Sequence, residues 1–118
     1  MPGVSIHVVD VSRGVVAAGM TVELHALPVG AEPRLVARGI ISASGLWDEP
    51  LLQQRFTPGP YEARFHAAAY YRAAGIPLPQ EPFLDVVFYR FGIGDGTQHY
   101  HLPFKCTPWG YSCFRGGA

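Results

Sequence analysis

The sequence predicts an all-β fold with one short helix, and three observations support this prediction. Short runs rich in β-branched and aromatic residues are separated by clusters of glycine, proline and serine. Several of these runs alternate apolar and polar side chains, which is the pattern of a half-buried strand. One alanine-rich segment interrupts the series. Because several short strands at this spacing are typical of two packed sheets, we expect a β-sandwich.

The predicted strands are defined by their composition and by the turns that follow them. The first is VSIHVVDV, which precedes Ser12-Arg13-Gly14, a typical turn sequence. In the second, Val22 and Leu24 occupy one face by alternation. A glycine-rich turn at residues 92–96 lies between two later runs, which we expect to form a hairpin. In order, the predicted strands are residues 4–11, 20–26, 35–42, 61–65, 84–91, 100–106 and 111–115.

The one predicted helix is AAAYYRAA, at residues 67–74. Alanine has the highest intrinsic helix propensity, so its density here favours a helix over another strand. Gly75 follows directly and suits the left-handed conformation at a helix end, and Pro77 then prevents continuation. We therefore expect one short helix between two strands.

The bulk composition limits the classes of function. The chain has 118 residues, of which 48% are hydrophobic, and this suits one domain over residues 1–118. Nine basic and nine acidic side chains give a formal net charge of zero, which argues against binding to nucleic acid or to an anionic membrane. The start of the chain lacks the pattern of a signal peptide, and no window reaches the roughly 18 apolar residues of a membrane span. We expect a soluble, cytoplasmic protein.

The cysteines and three of the histidines have unspecific patterns. Cys106 and Cys113 are too few and too far apart for a zinc ribbon or a CxxC pair, so we interpret them as reduced thiols with a packing role. We expect His25, His66 and His99 at solvent-facing or strand-edge positions. The spacing reveals no convergent set of ligands, and we predict neither a metal site nor a cofactor.

Four segments together resemble a known family. They are IHVVDVSRGVVAAGM, ISASGLWD, GPYEARFHAAAYYRAAG and HYHLPFKCTPWGYSCFRGG, and they cover nearly the whole chain. The chain resembles the transthyretin fold family, and specifically its 5-hydroxyisourate hydrolases, with their HVLD, ADGR, HYHVPLLLSP and YRGS motifs. The hormone-carrying branch keeps neither histidine nor a YRGS-like end. The resemblance implies two four-stranded sheets, one short helix, and a homotetramer whose dimer–dimer groove holds the active sites.

The resemblance also implies a catalytic pair, His7 and His101. In the hydrolases the matching histidines meet in the groove, where they orient and deprotonate water for attack on a cyclic ureide carbonyl. Imidazole suits this task because its unperturbed pKa of about 6.5 allows proton exchange near neutral pH. A single strand histidine is usually a structural or surface residue. Two of them at both family positions favour catalysis.

The chain departs from the hydrolase pattern at two motifs. Leu46 stands where ADGR has its arginine, so a cation that would clamp the substrate or stabilise an oxyanion is missing. The YRGS end becomes FRGG, which removes two hydroxyl groups and leaves Arg115 as the charged residue. The chain therefore resembles a divergent member of this branch.

Other groove candidates follow from the same alignment of motifs. Lys105 replaces a usual leucine on the strand face of His101, roughly 13 Å along the strand. It is either an ordinary exposed lysine or a cation that binds an anionic substrate; a base or Schiff-base role is weaker. Ser112 either donates a hydrogen bond in the groove or is an ordinary sheet residue, and Trp47 either stacks on a flat heterocycle or packs in the core. We predict substrate contacts from Leu46, Lys105, Ser112 and Arg115.

Three functions remain open from the sequence. The first is hydrolysis of 5-hydroxyisourate or a close relative by His7 and His101. The second is a divergent enzyme on the same scaffold that acts on a different cyclic substrate, with Leu46 and Lys105 in an altered groove. The third is a non-catalytic module that binds a small ligand, although retention of both histidines argues against it.

Overall fold

The computed structural model describes residues 2–117, and these form eight strands and one α-helix. One sheet, sheet A, has the strand order β2-β1-β7-β8, and the other, sheet B, has the order β4-β3-β5-β6. A short 3₁₀ turn, Pro50–Leu52, follows β4. The strands are β1 Gly3–Asp10, β2 Val15–Val16, β3 Thr21–Ala26, β4 Arg34–Ile40, β5 Gly59–His66, β6 Val86–Ile93, β7 His99–Thr107 and β8 Gly110–Cys113, and the helix is α1 Ala67–Ala73. Two four-stranded sheets and one short helix confirm the predicted fold class.

The predicted hairpin around residues 92–96 is wrong. Strand β6 pairs with β5 in sheet B, whereas β7 pairs with β1 and β8 in sheet A. The glycine-rich turn therefore carries the chain from one sheet to the other. A turn sequence indicates that the chain changes direction, but it does not indicate which strand the next segment will pair with. The last strand also ends earlier than predicted, at Cys113 rather than residue 115.

The core lies between the two sheets and follows the alternation seen in the sequence. On β1 and β7, Ile6, Val8 and Phe104 are fully buried, and on β5 Phe65 is fully buried as well. The rings of Phe65 and Phe104, one from each sheet, are stacked with centroids 3.8 Å apart. Trp47 is buried in the same core, so the structure gives it the packing role. The other half of each strand's side chains is left on the outer faces of the sandwich.

A buried carboxylate anchors the helix to the end of β1. Asp10 accepts hydrogen bonds from the hydroxyls of Tyr70 at 3.0 Å and Tyr71 at 2.9 Å, both on α1. Ser12 and Arg13 donate to the same carboxylate at 2.6 and 2.8 Å. Burial alone would raise the pKa of Asp10, but these four hydrogen bonds outweigh burial and the pKa is lowered. Both oxygens of the charged carboxylate therefore accept hydrogen bonds.

The outer face of sheet B carries a second buried carboxylate. Glu23 accepts hydrogen bonds from His25 at 2.8 Å, from His66 at 2.5 Å and from Arg38 at 3.0 Å. We refer to these four residues as the Glu23 cluster. The expectation that His25 and His66 face solvent or a strand edge is wrong, because both are half-buried against Glu23. Strand pairing of β3 with β4 and β5 supplies these partners, which the linear sequence does not show.

A third buried carboxylate lies beside this cluster. Glu62 accepts hydrogen bonds from Arg64 at 2.8 Å and from Arg90 at 2.9 Å. The pKa of Glu62 would rise through burial, but the two guanidinium groups outweigh burial and lower it. The outer face of sheet B is therefore a charged network in which each acid is paired.

Both cysteines are free thiols, as the sequence predicts, and they lie near one turn. Cys106 lies on β7 and Cys113 on β8, on either side of the turn between these strands. Burial raises the pKa of Cys106 to about 11 and that of Cys113 to about 12. Because the thiolate is the reactive form, both thiols are inert at neutral pH and serve in packing.

Over residues 2–117, the structure contains no helix that is long and apolar enough to cross a membrane.

Candidate active site

Parallel pairing of β1 with β7 brings the two predicted catalytic histidines onto one face. In this register Ser5 lies opposite His101, and His7 lies opposite Pro103. The residues between them, including Ile6 and Leu102, point into the core. His7 and His101 therefore both stand on the outer face of sheet A, one on each of two adjacent strands.

His101 is held by one side chain and by the tail of the chain. Its Nδ1 lies 2.6 Å from the Ser5 hydroxyl. Its carbonyl accepts a hydrogen bond of 2.7 Å from the amide of Gly116. A Cβ atom at Gly116 would lie 2.8 Å from the Cδ2 atom of His101, so glycine is required for the tail to pack on this ring. With Nδ1 engaged by Ser5, Nε2 is the ring nitrogen available to a substrate.

The environment of His101 favours its neutral form. Burial lowers the pKa of His101 below the ordinary value of 6.5, and the nearby imidazoles of His99 and His7 lower it further. Neutral imidazole has a free lone pair on one nitrogen, which can accept a proton. His101 is therefore a base at neutral pH.

His7 is positioned by the segment that follows β4. Its Nε2 lies 3.3 Å from the carbonyl oxygen of Ser44. Because a carbonyl only accepts, this contact places a proton on Nε2 and leaves the lone pair of neutral His7 on Nδ1. A Cβ atom at Gly45 would lie 2.7 Å from this Nε2, and Gly45 has a φ of +87°. Glycine at position 45 thus permits both the turn and its close approach to the imidazole.

Leu46 lies directly opposite His7 in an isolated antiparallel bridge. Two backbone hydrogen bonds hold this segment along β1, from the amide of Val8 to the carbonyl of Gly45 at 2.9 Å and from that of Trp47 to Ile6 at 3.1 Å. The position at which the resemblance implies an arginine is thus next to the imidazole of His7. Leucine there presents an aliphatic side chain that is 40% exposed.

A cavity of about 390 Å³ is lined by Leu46 and His99, and neither His7 nor His101 is among its lining residues. Leu46 lines it together with apolar and acidic residues of the neighbouring segments. The Ser5 and His99 side chains border the same space. Its lining consists of Pro2, Val4, Ser5, Leu46, Trp47, Asp48, Glu49, Leu52, Gln53 and His99.

Lys105 lies on the same outer face as His7. The pairing of β1 with β7 places it closer to His7 than to His101, which the sequence does not indicate. It pairs with Val9 on β1, two residues beyond His7, and with Ser112 on β8. The two positions are two residues apart along the strands, roughly 7 Å, and a lysine side chain can span this distance. The Nζ atom lies 5.9 Å from the ring centroid of Phe114, and the side chains of Lys105 and Ser112 are exposed.

Arg115 is engaged at the start of β7. Its guanidinium lies 4.0 Å from the ring centroid of Tyr100 and donates to Gln98 at 3.0 Å and to the carbonyl of His99 at 3.1 Å. Its polar contacts are therefore with β7 and the residue before it, and they fix the tail in place. The structure does not bring this guanidinium into hydrogen-bond contact with the imidazoles of His7 and His101.

Two site residues were missed in the sequence. The Ser5 hydroxyl contacts His101, and it also lies 2.8 Å from Nε2 of His99. Alternation alone places Ser5 on the face of His7, and His99 on the face of His101. The contact itself depends on the parallel register, which no local pattern indicates.

The arrangement suits acid–base chemistry on a neutral nucleophile. It has a neutral imidazole with an available nitrogen, a second imidazole nearby, a lysine ammonium and an apolar wall. Within the described part of the chain, no three His, Cys, Asp or Glu side chains are arranged to hold a metal ion.

Comparison with known proteins shows the family. The model of the HIUase/Transthyretin family matches residues 4–116. The 5-hydroxyisourate hydrolase of Pseudomonas aeruginosa is 39% identical over 98% of this chain and 92% of its own. That of Deinococcus radiodurans is 40% identical, over 98% and 96% respectively.

Solved structures give the same result. The Klebsiella pneumoniae 5-hydroxyisourate hydrolase has a TM-score of 0.80 and 29% identity, over 99% of this chain and 100% of its own. An (S)-allantoin synthase has a TM-score of 0.88 and 33% identity, over 98% of this chain, which spans only 43% of that protein's chain. Sea bream transthyretin, at 21% identity and a TM-score of 0.82 over 98% of both chains, shares the fold. The chain therefore belongs to the HIUase/Transthyretin family, in its enzymatic branch.

Proposed function

We propose that this protein hydrolyses 5-hydroxyisourate or a close relative and thereby opens a cyclic ureide ring. The observation that carries the proposal is the placement of His7 and His101 on one face of two adjacent parallel strands. The similar proteins from P. aeruginosa, D. radiodurans and K. pneumoniae are all named 5-hydroxyisourate hydrolase, which supports the substrate.

The two histidines act as the acid–base pair. His101 Nε2 takes a proton from water as the water oxygen bonds to a ring carbonyl carbon. The lone pair on His7 Nδ1 accepts a hydrogen bond from the same water and orients it. The ring C–N bond then breaks, and the leaving nitrogen takes the proton from Nε2 of His101. His101 is neutral again, so the protons balance over one turnover.

Substrate contacts are assigned to the residues around this pair. Lys105 supplies the cation for a carboxylate or for the oxyanion that forms at the carbonyl, since it lies one row from His7. Ser112, opposite Lys105, offers a hydroxyl group, and Leu46 forms an apolar wall beside His7. Arg115 contributes positive charge at the edge of the site, where it lies against Tyr100.

A second candidate is a related cyclic substrate that carries an apolar substituent. Leu46 favours it, because this side chain lines the 390 Å³ cavity where an arginine would present a charge. An aliphatic wall binds an alkyl group and leaves a polar ring edge without a partner. The remaining alternative, a non-catalytic carrier, is distinguished by affinity without turnover.

Assembly and location are part of the same proposal. The outer face of sheet A is open to solvent in a single chain, so a groove over His7 and His101 requires a further copy. We assign a homotetramer, as the resemblance implies, and a cytoplasmic location. Sedimentation equilibrium measures the assembly directly, and a monomeric, fully active protein would contradict the tetrameric groove.

The test is the decay of freshly generated 5-hydroxyisourate, followed by ultraviolet absorbance with and without purified protein. We expect the wild type to accelerate the decay, and His101→Ala to lose this acceleration by about 10²- to 10⁴-fold. An N-alkylated ureide in the same assay examines the second candidate. Absence of acceleration on 5-hydroxyisourate by a folded wild type would refute the first.

Leu46→Arg tests whether an arginine at this position increases kcat/KM on 5-hydroxyisourate. If 5-hydroxyisourate is the substrate, a guanidinium beside His7 should raise kcat/KM by up to about 10²-fold, since donors to a developing oxyanion have effects of this size. Leu46→Met is the matched control, because it keeps an apolar side chain of similar volume. A lower kcat/KM in Leu46→Arg, with Leu46→Met unchanged, would favour the apolar substrate instead.

A further inference from the structure

We infer that Ser5 and His99 are positioning residues for His101. The three side chains form a hydrogen-bonded chain that fixes which nitrogen of His101 carries its proton and that shares the proton gained during catalysis. This inference rests on the proposed function, because it assigns roles to two residues that the acid–base pair does not include.

The hydrogen bonds that link His99, Ser5 and His101 are continuous. Ser5 Oγ lies 2.6 Å from Nδ1 of His101 and 2.8 Å from Nε2 of His99. Strand register produces this contact, because Ser5 lies directly opposite His101 while His99 lies two residues earlier on β7. All three side chains are half-buried on the outer face of sheet A. Both distances are within the range of a strong hydrogen bond.

The single proton of the Ser5 hydroxyl couples the two rings. A serine hydroxyl donates one hydrogen bond and accepts others. In one arrangement His101 Nδ1–H donates to Ser5 and Ser5 donates to His99 Nε2. In the other, His99 Nε2–H donates to Ser5 and Ser5 donates to His101 Nδ1. Only the first arrangement leaves a lone pair on Nε2 of His101, so only the first makes His101 the base.

The same three side chains transfer protons, and with them positive charge, during turnover. As His101 Nε2 takes a proton from water, the Nδ1 proton of His101 moves to Ser5 Oγ and the Ser5 proton moves to Nε2 of His99. The positive charge then lies on His99, and His101 is neutral with its proton on Nε2. As that proton passes to the leaving nitrogen, the two transfers reverse. Every group regains its starting protonation state.

The environment of His101 disfavours the charged form of its ring. The groups near His99 carry both signs of charge, because Asp48 and Glu49 line the cavity that Ser5 and His99 also line, while the Arg115 guanidinium donates to the carbonyl of His99 at 3.1 Å. Burial lowers the pKa of His101, and the nearby imidazoles of His99 and His7 lower it further. A lasting positive charge on the His101 ring is therefore disfavoured, which supports transfer of a proton away from it through Ser5.

The activity test uses Ser5→Ala, with Ser5→Thr as the variant that keeps a hydroxyl, and His99→Asn. We expect Ser5→Ala to lower kcat by about tenfold to a hundredfold with little change in KM, and Ser5→Thr to recover most of the loss. In His99→Asn the acid limb of kcat/KM should move to higher pH, because the charge of His99 lowers the pKa of His101. Thermal unfolding checks that each variant is folded.

A spectroscopic readout separates this inference from the proposed function. Nitrogen-15 shifts of His101 should show the proton on Nδ1 in the wild type and a mixture of tautomers in Ser5→Ala, whether or not any substrate turns over. Failure of the wild type to open 5-hydroxyisourate would refute the proposed function alone. A His101 proton on Nε2 in the wild type, or a folded Ser5→Ala with wild-type kcat and pH profile, would overturn the inference.

Discussion

The outer faces of the two sheets carry all five histidines of the chain but give them different partners. On sheet B, His25 and His66 both hydrogen-bond to the carboxylate of Glu23. On sheet A, the hydrogen bonds of the three histidines go to the Ser5 hydroxyl and the Ser44 carbonyl. A carboxylate stabilises the charged form of an imidazole more strongly than a neutral hydroxyl or carbonyl does, and on sheet A the pKa of His101 is lowered. The partner, rather than the residue type, separates the structural histidines from the candidate catalytic ones.

Changing the backbone turn beside His7 should have a large effect on catalysis at sheet A. Gly45→Ala places a Cβ atom 2.7 Å from Nε2 of His7 and from Val16, at a φ of +87°. The imidazole must move, and misplacement of a catalytic group by about 1 Å can cost on the order of 10²-fold in rate. Steady-state kinetics measure kcat/KM, and Gly14→Ala, at a φ of +68° but with open space, is the control for backbone strain. Equal losses in the two variants would show that strain, and not His7, is responsible.

Introducing a carboxylate into sheet A should give its histidines the kind of hydrogen-bond partner that Glu23 provides on sheet B. Ser5→Asp would place an acid between His99 and His101 and raise the pKa of His101, because a nearby negative charge favours the imidazolium. Activity near pH 6.5 should fall about tenfold, and the acid limb of kcat/KM should move to higher pH. Ser5→Asn is the uncharged control. An acid limb at the same pH in Ser5→Asp and wild type would indicate that His101 does not titrate in this limb.

Removing the carboxylate from sheet B should lower stability and leave catalysis intact. Glu23→Gln keeps the shape of the side chain but loses the charge that His25, His66 and Arg38 contact. We expect a loss of about 1 kcal/mol in the free energy of unfolding, measured by urea denaturation, because charge-assisted hydrogen bonds become neutral ones. The kcat/KM on 5-hydroxyisourate should stay within about twofold of wild type. A large catalytic loss in this variant would mean that the two faces are coupled.

Activity and stability should be lost in different pH ranges, because His101 on sheet A controls the first and Glu23 on sheet B contributes to the second. Burial raises the pKa of Glu23, but hydrogen bonds from His25 and His66 outweigh burial and lower it below 4.5. The folded state therefore binds fewer protons than the unfolded chain, so this stabilisation is present above pH 4.5 and is lost as the pH falls through the folded pKa. Activity should decline earlier, with an acid limb that lies below 6.5 because the pKa of His101 is lowered. Coincident losses of activity and of near-ultraviolet circular dichroism would contradict this separation.

Much of the fold was predictable, since it depends on local patterns. Alternation separates polar from apolar side chains along the strands, and the alanine-rich segment before Gly75 predicts the helix that the structure contains. Pairing between distant strands was not predictable in this way. A turn at residues 92–96 looks the same whether β7 returns to β6 or crosses to the other sheet.

The missed site residues have the same physical origin. Ser5 and His101 are 96 positions apart in the sequence, and their contact exists only because β1 and β7 pair in parallel in one register. The Glu23 cluster likewise depends on the pairing of β3 with β4 and β5, so His25 and His66 looked like ordinary surface histidines. The roles of the predicted substrate contacts, Leu46, Lys105, Ser112 and Arg115, stay predictions.

One comparison tests the central claim most directly: kcat/KM on 5-hydroxyisourate and the melting temperature, measured side by side for His101→Ala on sheet A and His66→Ala on sheet B. We predict that His101→Ala loses about 10²- to 10⁴-fold in kcat/KM with a near-native melting temperature. His66→Ala should keep near-native kcat/KM and melt at a lower temperature, because it removes a hydrogen bond from the carboxylate of Glu23. A folded His101→Ala with wild-type activity, or an inactive but stable His66→Ala, would contradict the assignment of catalysis to sheet A.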